Sequence, residues 1–324
     1  MASRRVDGAG ALGPSPGGSL VAIGNFDGVH KGHRAVISAA AREARERALV
    51  PRVLTFHPHP AEVLGRPAVA RLTTLERKIE LITDIDPDVQ VVVEPFTHEL
   101  SLTSPEDFVR TLLVSALWAR VVIVGENFRF GHRRMGDLAT LQQLGRSLGF
   151  EARAAELVGD AGGRFSSSRV RQALAAGDLA EAAAVLGRPH SISGRVVVGA
   201  QRGRTIGVPT ANLGGVDEAL PPFGVYACAV DVLEPRPRAL GPAVANIGLR
   251  PTVQGGFSAE LHLLDFDGDL YGTRLRAHLL ERLREERKFD GLAELERQIR
   301  RDIEQARGVL AARLPALPAA GPYF

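Results

Sequence analysis

Two histidines three residues apart stand in Gly24-Asn25-Phe26-Asp27-Gly28-Val29-His30-Lys31-Gly32-His33, where an apolar stretch gives way to a helical pattern. A helix N-terminus favours anions through its free N–H groups and positive end. Imidazoles there add donors aimed at charge developing on a transferring phosphoryl group. Glycines such as Gly24 and Gly32 let a nucleotide approach the backbone. Transfer at phosphorus needs positioning and charge stabilisation more than a covalent nucleophile. A glycine turn with two solvated histidines is the plainer alternative, and the strand before and helix after weigh against it. Farther along, Arg164-Phe165-Ser166-Ser167-Ser168-Arg169-Val170-Arg171 sets serines and arginines at another helix start. That is either a phosphate or pyrophosphate cradle or a serine cap with a basic first turn. Between the two, Val124-Gly125-Glu126-Asn127-Phe128-Arg129-Phe130-Gly131 ends a strand with Asn127 in ligand-site position.

The second half carries a different set. Gly199-Ala200-Gln201-Arg202-Gly203-Arg204-Thr205-Ile206-Gly207-Val208-Pro209-Thr210-Ala211-Asn212 is a glycine- and arginine-rich loop without the GxxxxGK[ST] of a P-loop. Its amides and arginines suit phosphate, and Thr210 with Asn212 offers hard oxygen ligands for Mg²⁺. A simple β-turn fits these residues equally well. Glu260 opens a strand expected to point into a barrel mouth. Asp265-Phe266-Asp267-Gly268-Asp269 lacks the spacing of a calcium loop, so a hairpin turn at Asp267-Gly268 is expected. The histidines of Thr55-Phe56-His57-Pro58-His59-Pro60 have no partner ligands and make a poor metal site.

The elements that must position these groups fall into two styles. Apolar runs at 20–23, 52–56, 89–93 and 120–125 alternate with helical patterns, which argues for a parallel α/β sheet. Thr73 with Glu76 reads as a capping box, and Ser104-Pro105 as a cap with proline at the first helical position. Two small helices near 168–176 and 178–186 end at Gly187, where the domain boundary is placed. Short alternating strands then follow at 192–198, 224–232, 244–247 and 260–266, with a last one ending near His278. This is the pattern of a small antiparallel barrel. A terminal amphipathic helix carries Leu292, Leu295, Ile299, Ile303, Ala306 and Leu310 on one face. Residues 1–19 read as a disordered leader and 315–324 as a frayed tail. Gly8-Ala9-Gly10-Ala11-Leu12-Gly13 matches the dinucleotide fingerprint by letter but shows neither a preceding strand nor a following helix, and it is rejected.

A length of 324 residues suits two domains, and 45% apolar with 24% charged residues is ordinary for a globular protein. A net charge of +3 is too small to argue for nucleic acid, and 5% aromatics leave few stacking platforms for single strands. One cysteine, Cys228, excludes an intramolecular disulfide and is read as a buried strand residue. No apolar run approaches the ~20 residues that span a bilayer. The expectation is a cytoplasmic protein, a monomer or weak homo-oligomer, with small-molecule partners and neither nucleic acid nor membrane.

The His-x-Gly-His element resembles the signature of the nucleotidyltransferase superfamily that includes class I aminoacyl-tRNA synthetases. Taken in order with the 55–60, 124–131 and 164–171 segments, it resembles the FMN adenylyltransferase domain of bacterial FAD synthetases. Pro209-Thr210-Ala211-Asn212 resembles the riboflavin kinase signature. Gly224-Val225-Tyr226, Asn246-Ile247-Gly248-Leu249-Arg250-Pro251-Thr252, Glu260-Leu261-His262-Leu263-Leu264-Asp265-Phe266, Leu270-Tyr271-Gly272 and Arg287-Lys288-Phe289 follow in register. The resemblance covers roughly 20–310 and implies a Rossmann-like nucleotidyltransferase domain over 20–187, then a barrel kinase domain with a C-terminal helix over 188–314. It implies phosphorylation of riboflavin to FMN and adenylylation of FMN to FAD, with ATP as co-substrate and Mg²⁺ as the metal. By the same resemblance His30 and His33 stabilise the α-phosphate. Gly24, Phe26, Asn127 (a position where the family often has aspartate), Arg164, Ser167, Ser168 and Arg171 hold that ATP and the departing pyrophosphate. Gly199, Arg204, Gly207, Thr210 and Asn212 hold the kinase ATP and metal, and Glu260 is the general base. His57, His59 and Arg250 are assigned to flavin. An adenylyltransferase for another phosphate would leave the barrel unexplained. A silent flavin binder would not need His30, His33, Thr210, Asn212 and Glu260 together.

Overall fold

In the computed structural model, which describes residues 4–65, 67, 69–199, 207–249, 257–314 and 321–324, the chain divides into two units. One holds the residues up to Val69 with Thr74–Ser166, the other Ala70–Thr73 with Ser167–Phe324. The first unit runs β1 (Arg5–Asp7), β2 (Ser19–Ile23), α1 (Lys31–Glu46), β3 (Val50–His57), α2 (Pro60–Val63), α3 (Leu75–Thr83), β4 (Gln90–Pro95), α4 (His98–Leu102) and α5 (Pro105–Asp107). A π-helical stretch, Phe108–Ala116, continues α5. Then come β5 (Ala119–Val124), α6 (Leu138–Leu148), β6 (Glu151–Ala154) and the short pair β7 (Gly159–Asp160) and β8 (Gly163–Arg164).

The sheet order is β1-β4-β3-β2-β5-β6, every neighbour parallel. All five residues of β2 are buried, because alternate side chains enter apolar layers on opposite faces. Val21 and Ile23 join Leu54, Val92, Phe108 and Leu113. Leu20 and Ala22 join Ile37, Ala40 and Ala44 of α1. The chain steps from β2 through β3 to β4 on one side and resumes at β5 on the other. The topological switch therefore lies between β2 and β5, where Ile23 pairs with Val124. Open parallel sheets bind ligands beyond the carboxyl ends of the strands at that point.

Three local expectations change. Residues 4–12 are ordered: β1 extends the sheet beside β4, and Val6 and Leu12 pack on its core. A strand therefore does precede the GxGxxG letters. Only a three-residue 3-10 turn follows, however, and the Ala9 N–H is taken by the Glu94 carboxylate at 2.6 Å. The segment remains unfit for a dinucleotide, because its amide is satisfied from within. The cap of α3 is Thr74, whose hydroxyl accepts from Arg77 N–H at 3.2 Å; Thr73 is buried instead, which moves the cap one residue from the expected place.

In the second unit α7 (Ser167–Ala176) and α8 (Leu179–Leu186) precede β9 (His190–Val197), β10 (Ala211–Gly214), β11 (Gly224–Val232), β12 (Arg238–Leu249), β13 (Phe257–Leu263), β14 (Arg274–Glu285) and α9 (Leu292–Arg313). The strands close as β10-β13-β12-β11-β14-β9, all antiparallel. β13 and β14 are not neighbours, so Asp267-Gly268 does not turn a hairpin. Residues 264–273 instead form a loop, anchored by a bidentate pair from Arg307 to Asp265 at 2.6 and 2.7 Å. Ala306 and Leu310 of α9 cover the outer face at Val225, Ala227, Ala229 and Leu280. Arg284 grips the buried Asp302 carboxylate through three contacts of 2.8–3.0 Å. Burial pushes the Cys228 thiol up, as expected of an inert core residue.

The chain's end is docked rather than frayed. Ala239 N–H donates to Gly321 O at 2.8 Å, and Tyr323 N–H donates to Asp231 Oδ1 at 2.9 Å. The same Asp231 receives His278 Nε2 at 2.8 Å, both side chains fully buried. Burying a carboxylate requires such partners, and the backbone of the last residues supplies one.

Candidate active sites

In the first unit β2 delivers the chain into a loop with three residues at positive φ: Phe26 (48°), Gly28 (82°) and Val29 (41°). A β-branched residue there is a true outlier, and such strain collects at functional sites. His30 then caps α1, its Nδ1 accepting from His33 N–H at 3.3 Å. A neutral His30 accordingly carries its proton on Nε2. The two imidazoles stack with centroids 3.6 Å apart, and Phe26 meets His33 edge-on at 5.1 Å. Gly32 sits close against the site: a Cβ there would press on the His30 ring at 3.2 Å and on Phe165 O at 3.3 Å. His33 Nδ1 is buried without a hydrogen-bond partner among the described residues. Burial first, then electrostatic interaction with His30 and Lys78, holds the His33 imidazole well below its ordinary range. Lys78 is itself buried, 3.5 Å from Thr55 Oγ1, which donates to Asn25 O at 3.2 Å.

Of the other residues expected here, Gly24 adjoins the Phe26 ring. Asn127 is exposed in the loop beyond β5. The switch point thus brings Gly24, Phe26, His30, His33 and Asn127 to one end of one sheet. Arg164, exposed on β8, lies 3.4 Å from Glu126 Oε2. His59 caps α2 by accepting Ala61 N–H on Nδ1, and its Nε2 lies 3.2 Å from the Asn25 side-chain amide nitrogen. His59 is therefore part of the loop's wall, and His57 ends β3 on the same sheet. Ser167, Ser168 and Arg171 begin α7 of the second unit, where Arg171 Nε donates to Ala70 O at 2.7 Å.

The second unit builds its site on strand faces. β13 buries Ala259, Leu261 and Leu263, so Glu260 and His262 face outward, not into the barrel mouth as the sequence reading had it. Register sets Glu260 directly opposite Asn212 on β10 and Asn246 on β12. Among the described residues the side chains of Thr210, Asn212, Asn246 and Glu260 make no hydrogen bond or ion pair with the protein. A half-buried row with donors and acceptors left open can take a polar ligand. Gly199 lies against this row, since a Cβ there would collide with the Asn212 side chain. Beside it a cavity of ≈ 400 Å³ is lined by Thr210, Leu263, Phe266, Asp269, Leu270 and Tyr271 among others. Gly207 sits in a turn before Thr210. Arg204 and Arg250 lie outside the described residues.

Sequence reasoning passed over Asn246, Lys78, Phe266 and Tyr271 as site residues. Strand parity was the signal for Asn246, because a polar residue between buried Ala245 and Ile247 must face outward. For Lys78 and the cavity aromatics no local signal exists; long-range packing places them.

Comparison with known proteins agrees with this division. A sequence model of FAD synthetase matches residues 13–169 and one of riboflavin kinase matches 186–310. The unit boundary falls earlier, at Ser166/Ser167, because α8 packs on β9 and β14. The chain is 42% identical to the bifunctional riboflavin kinase/FMN adenylyltransferase of Escherichia coli K12, over 92% of this chain and 95% of that protein. Its likeness to the Pseudomonas fluorescens protein of the same name is 39%, over 93% and 96%. For the Bacillus subtilis protein the figures are 37%, 89% and 91%. A solved Streptococcus pneumoniae structure, titled a macrolide-efflux protein, superposes with TM-score 0.80 at 28% identity over 94% of this chain and 98% of that one. Among the described residues no helix is long and apolar enough to cross a membrane, and that likeness is taken as one of fold. Two matched domains in order and more than 40% identity over nearly the whole length place the chain in the bifunctional riboflavin kinase/FMN adenylyltransferase family.

Proposed function

We propose that the two activities of the family divide over the two residue sets described above. The chain phosphorylates riboflavin to FMN and adenylylates FMN to FAD, in domains taken as 20–187 for adenylylation and 188–314 for the kinase. The observation that carries the residue assignment is the Asn212–Glu260–Asn246 row, whose side-chain polar groups find no partner among the described residues.

In the kinase step the ribityl 5′-hydroxyl attacks the γ-phosphorus of ATP, Glu260 takes its proton, and ADP leaves. A carboxylate suits this role because the alcohol becomes acidic only as the bond to phosphorus forms. Thr210 and Asn212 fit Mg²⁺ as hard oxygen donors facing the same row. When bound, Mg²⁺ neutralises phosphate charge. The cavity walled by Phe266 and Tyr271 is assigned to an aromatic portion of a substrate.

In the adenylyl step an FMN phosphate oxygen attacks the α-phosphorus and pyrophosphate leaves. No proton acceptor is required, which agrees with a site built of donors. His30 offers Nε2–H, the α1 N-terminus offers amides, and neutral His33 completes the set. Gly24, Phe26 and Asn127 are assigned to ATP, with Arg164, Ser167, Ser168 and Arg171 for its phosphates. His57 and His59 are assigned to the flavin side. Since ATP is an intracellular metabolite, we place the protein in the cytoplasm, as a monomer or weak homo-oligomer.

The test is a time course of purified protein with riboflavin, ATP and Mg²⁺, the flavins resolved by chromatography. FMN rising before FAD supports both steps. Riboflavin left untouched while FMN is consumed would remove the Glu260 assignment.

A further inference from the structure

His262 follows Glu260 on the outward face of β13, and its Nδ1 lies 2.9 Å from Pro209 O. A carbonyl only accepts, so Nδ1 carries the proton and the ring orientation is set by this bond. Pro209 immediately precedes Thr210 and has no N–H with which to join a strand ladder. The register pairs Ala211 with Leu261 and Asn212 with Glu260 but does not extend to Pro209 and Thr210. The His262 side chain is thus a cross-strand hydrogen bond at the point where backbone pairing stops. Without it, Thr210 would hang from a proline beyond the last ladder bond.

We infer that His262 is a positioning residue for phosphoryl transfer, its ring N–H pinning the Pro209 carbonyl so that Thr210 and Asn212 stand fixed beside Glu260. The inference rests on the kinase assignment above and deepens it. His262 touches no reacting atom in this account; it acts on the two residues assigned to the metal. Groups that orient metal ligands from behind change metal affinity about 10- to 100-fold when removed. An asparagine side chain offers an N–H close to where Nδ1 stands and should replace the bond.

The experiment compares full-length wild type, His262→Ala, His262→Asn and Glu260→Gln. Calorimetric titration with ADP, in Mg²⁺ and separately in EDTA, reads metal-dependent binding. Initial rates of riboflavin phosphorylation and FMN adenylylation are read in parallel. His262→Ala should weaken ADP binding about tenfold in Mg²⁺ and leave it unchanged in EDTA. It should lower kcat for phosphorylation with little change in the KM for riboflavin, and spare adenylylation. His262→Asn should recover most of both losses. Unchanged Mg²⁺-dependent binding in His262→Ala, or an asparagine variant as impaired as the alanine one, overturns the inference. If the alanine variant loses adenylylation as well, its fold is at fault and the asparagine variant decides. Should Glu260→Gln phosphorylate riboflavin at the wild-type rate, the kinase assignment itself falls. An inactive Glu260→Gln beside a His262→Ala with intact Mg²⁺ response removes only the positioning role.

Discussion

The two sites meet similar chemistry, charge gathering on a group in transfer, with opposite uses of the backbone. In the parallel sheet both faces of every central strand are buried, as in β2, so chemistry is confined to strand ends. The Asn25–His33 stretch there departs from regular geometry, with Phe26 and Val29 at positive φ, and aims amides and stacked histidines at one place. In the barrel only the inner face is filled by the strands' own side chains, and α9 covers just part of the outer face. A row across three regular strands can therefore carry Asn212, Glu260 and Asn246 without any strain. The first site is organised by backbone conformation and burial, the second by register.

If that contrast holds, the largest effect should come from His30→Ala/His33→Ala. FMN adenylylation should fall by roughly 10³ or more, as two donors to developing charge are lost. Riboflavin phosphorylation should stay at the wild-type rate. Loss of both activities in a rate assay would break the separation. Next, Glu260→Gln keeps the shape of the row but removes the base, and phosphorylation should drop about 10²- to 10⁴-fold. Adenylylation of supplied FMN is the control that must not move.

Gly199→Ala tests register and close approach directly. A Cβ against the Asn212 amide costs about 1–3 kcal/mol if neighbours must shift. Roughly a tenfold slower kinase is expected, with the melting temperature of the first unit unchanged. A fully active variant would show that Asn212 need not sit where it does.

The last prediction concerns stability rather than rate, in acid. Burial first, against a backbone hydrogen bond to Ala219, lowers His190 from 6.5 to about 4. Because the folded state resists the proton, its contribution is complete above pH 6.5. It is lost as pH falls from 6.5 toward 4, about 3 kcal/mol in all. His190→Gln can keep the donor to Ala219 O, now 2.8 Å away, without titrating. Thermal melts between pH 7 and 4 should show a flatter profile for that variant in the barrel unit. An unchanged slope would assign the acid loss to another group. His33, shifted in the same direction, belongs to the first unit.

Much of this was legible in the chain because the signals are local. Alternating apolar strands and helices announced a parallel sheet, and Ser104-Pro105 announced a helix start; both stand in the structure. Motif spacing likewise named His30, His33, Thr210, Asn212 and Glu260. Where neighbouring residues compete on equal terms, reading failed: Thr73 and Thr74 are alike as caps, and only the burial of Thr73 decides between them. Asp267-Gly268 carries real hairpin chemistry, yet β13 and β14 pair elsewhere, so a turn preference was overruled by barrel connectivity.

By itself the sequence determined which elements form and which residue types can do chemistry, since helix periodicity, strand parity and capping act over a few positions. Tertiary structure alone decided that β1 and the last four residues are ordered and that Glu260 faces outward between two asparagines. It alone placed buried Lys78 near His33 and His262 on Pro209. Each of these depends on contacts between residues tens of positions apart, and local pattern carries no record of such separations.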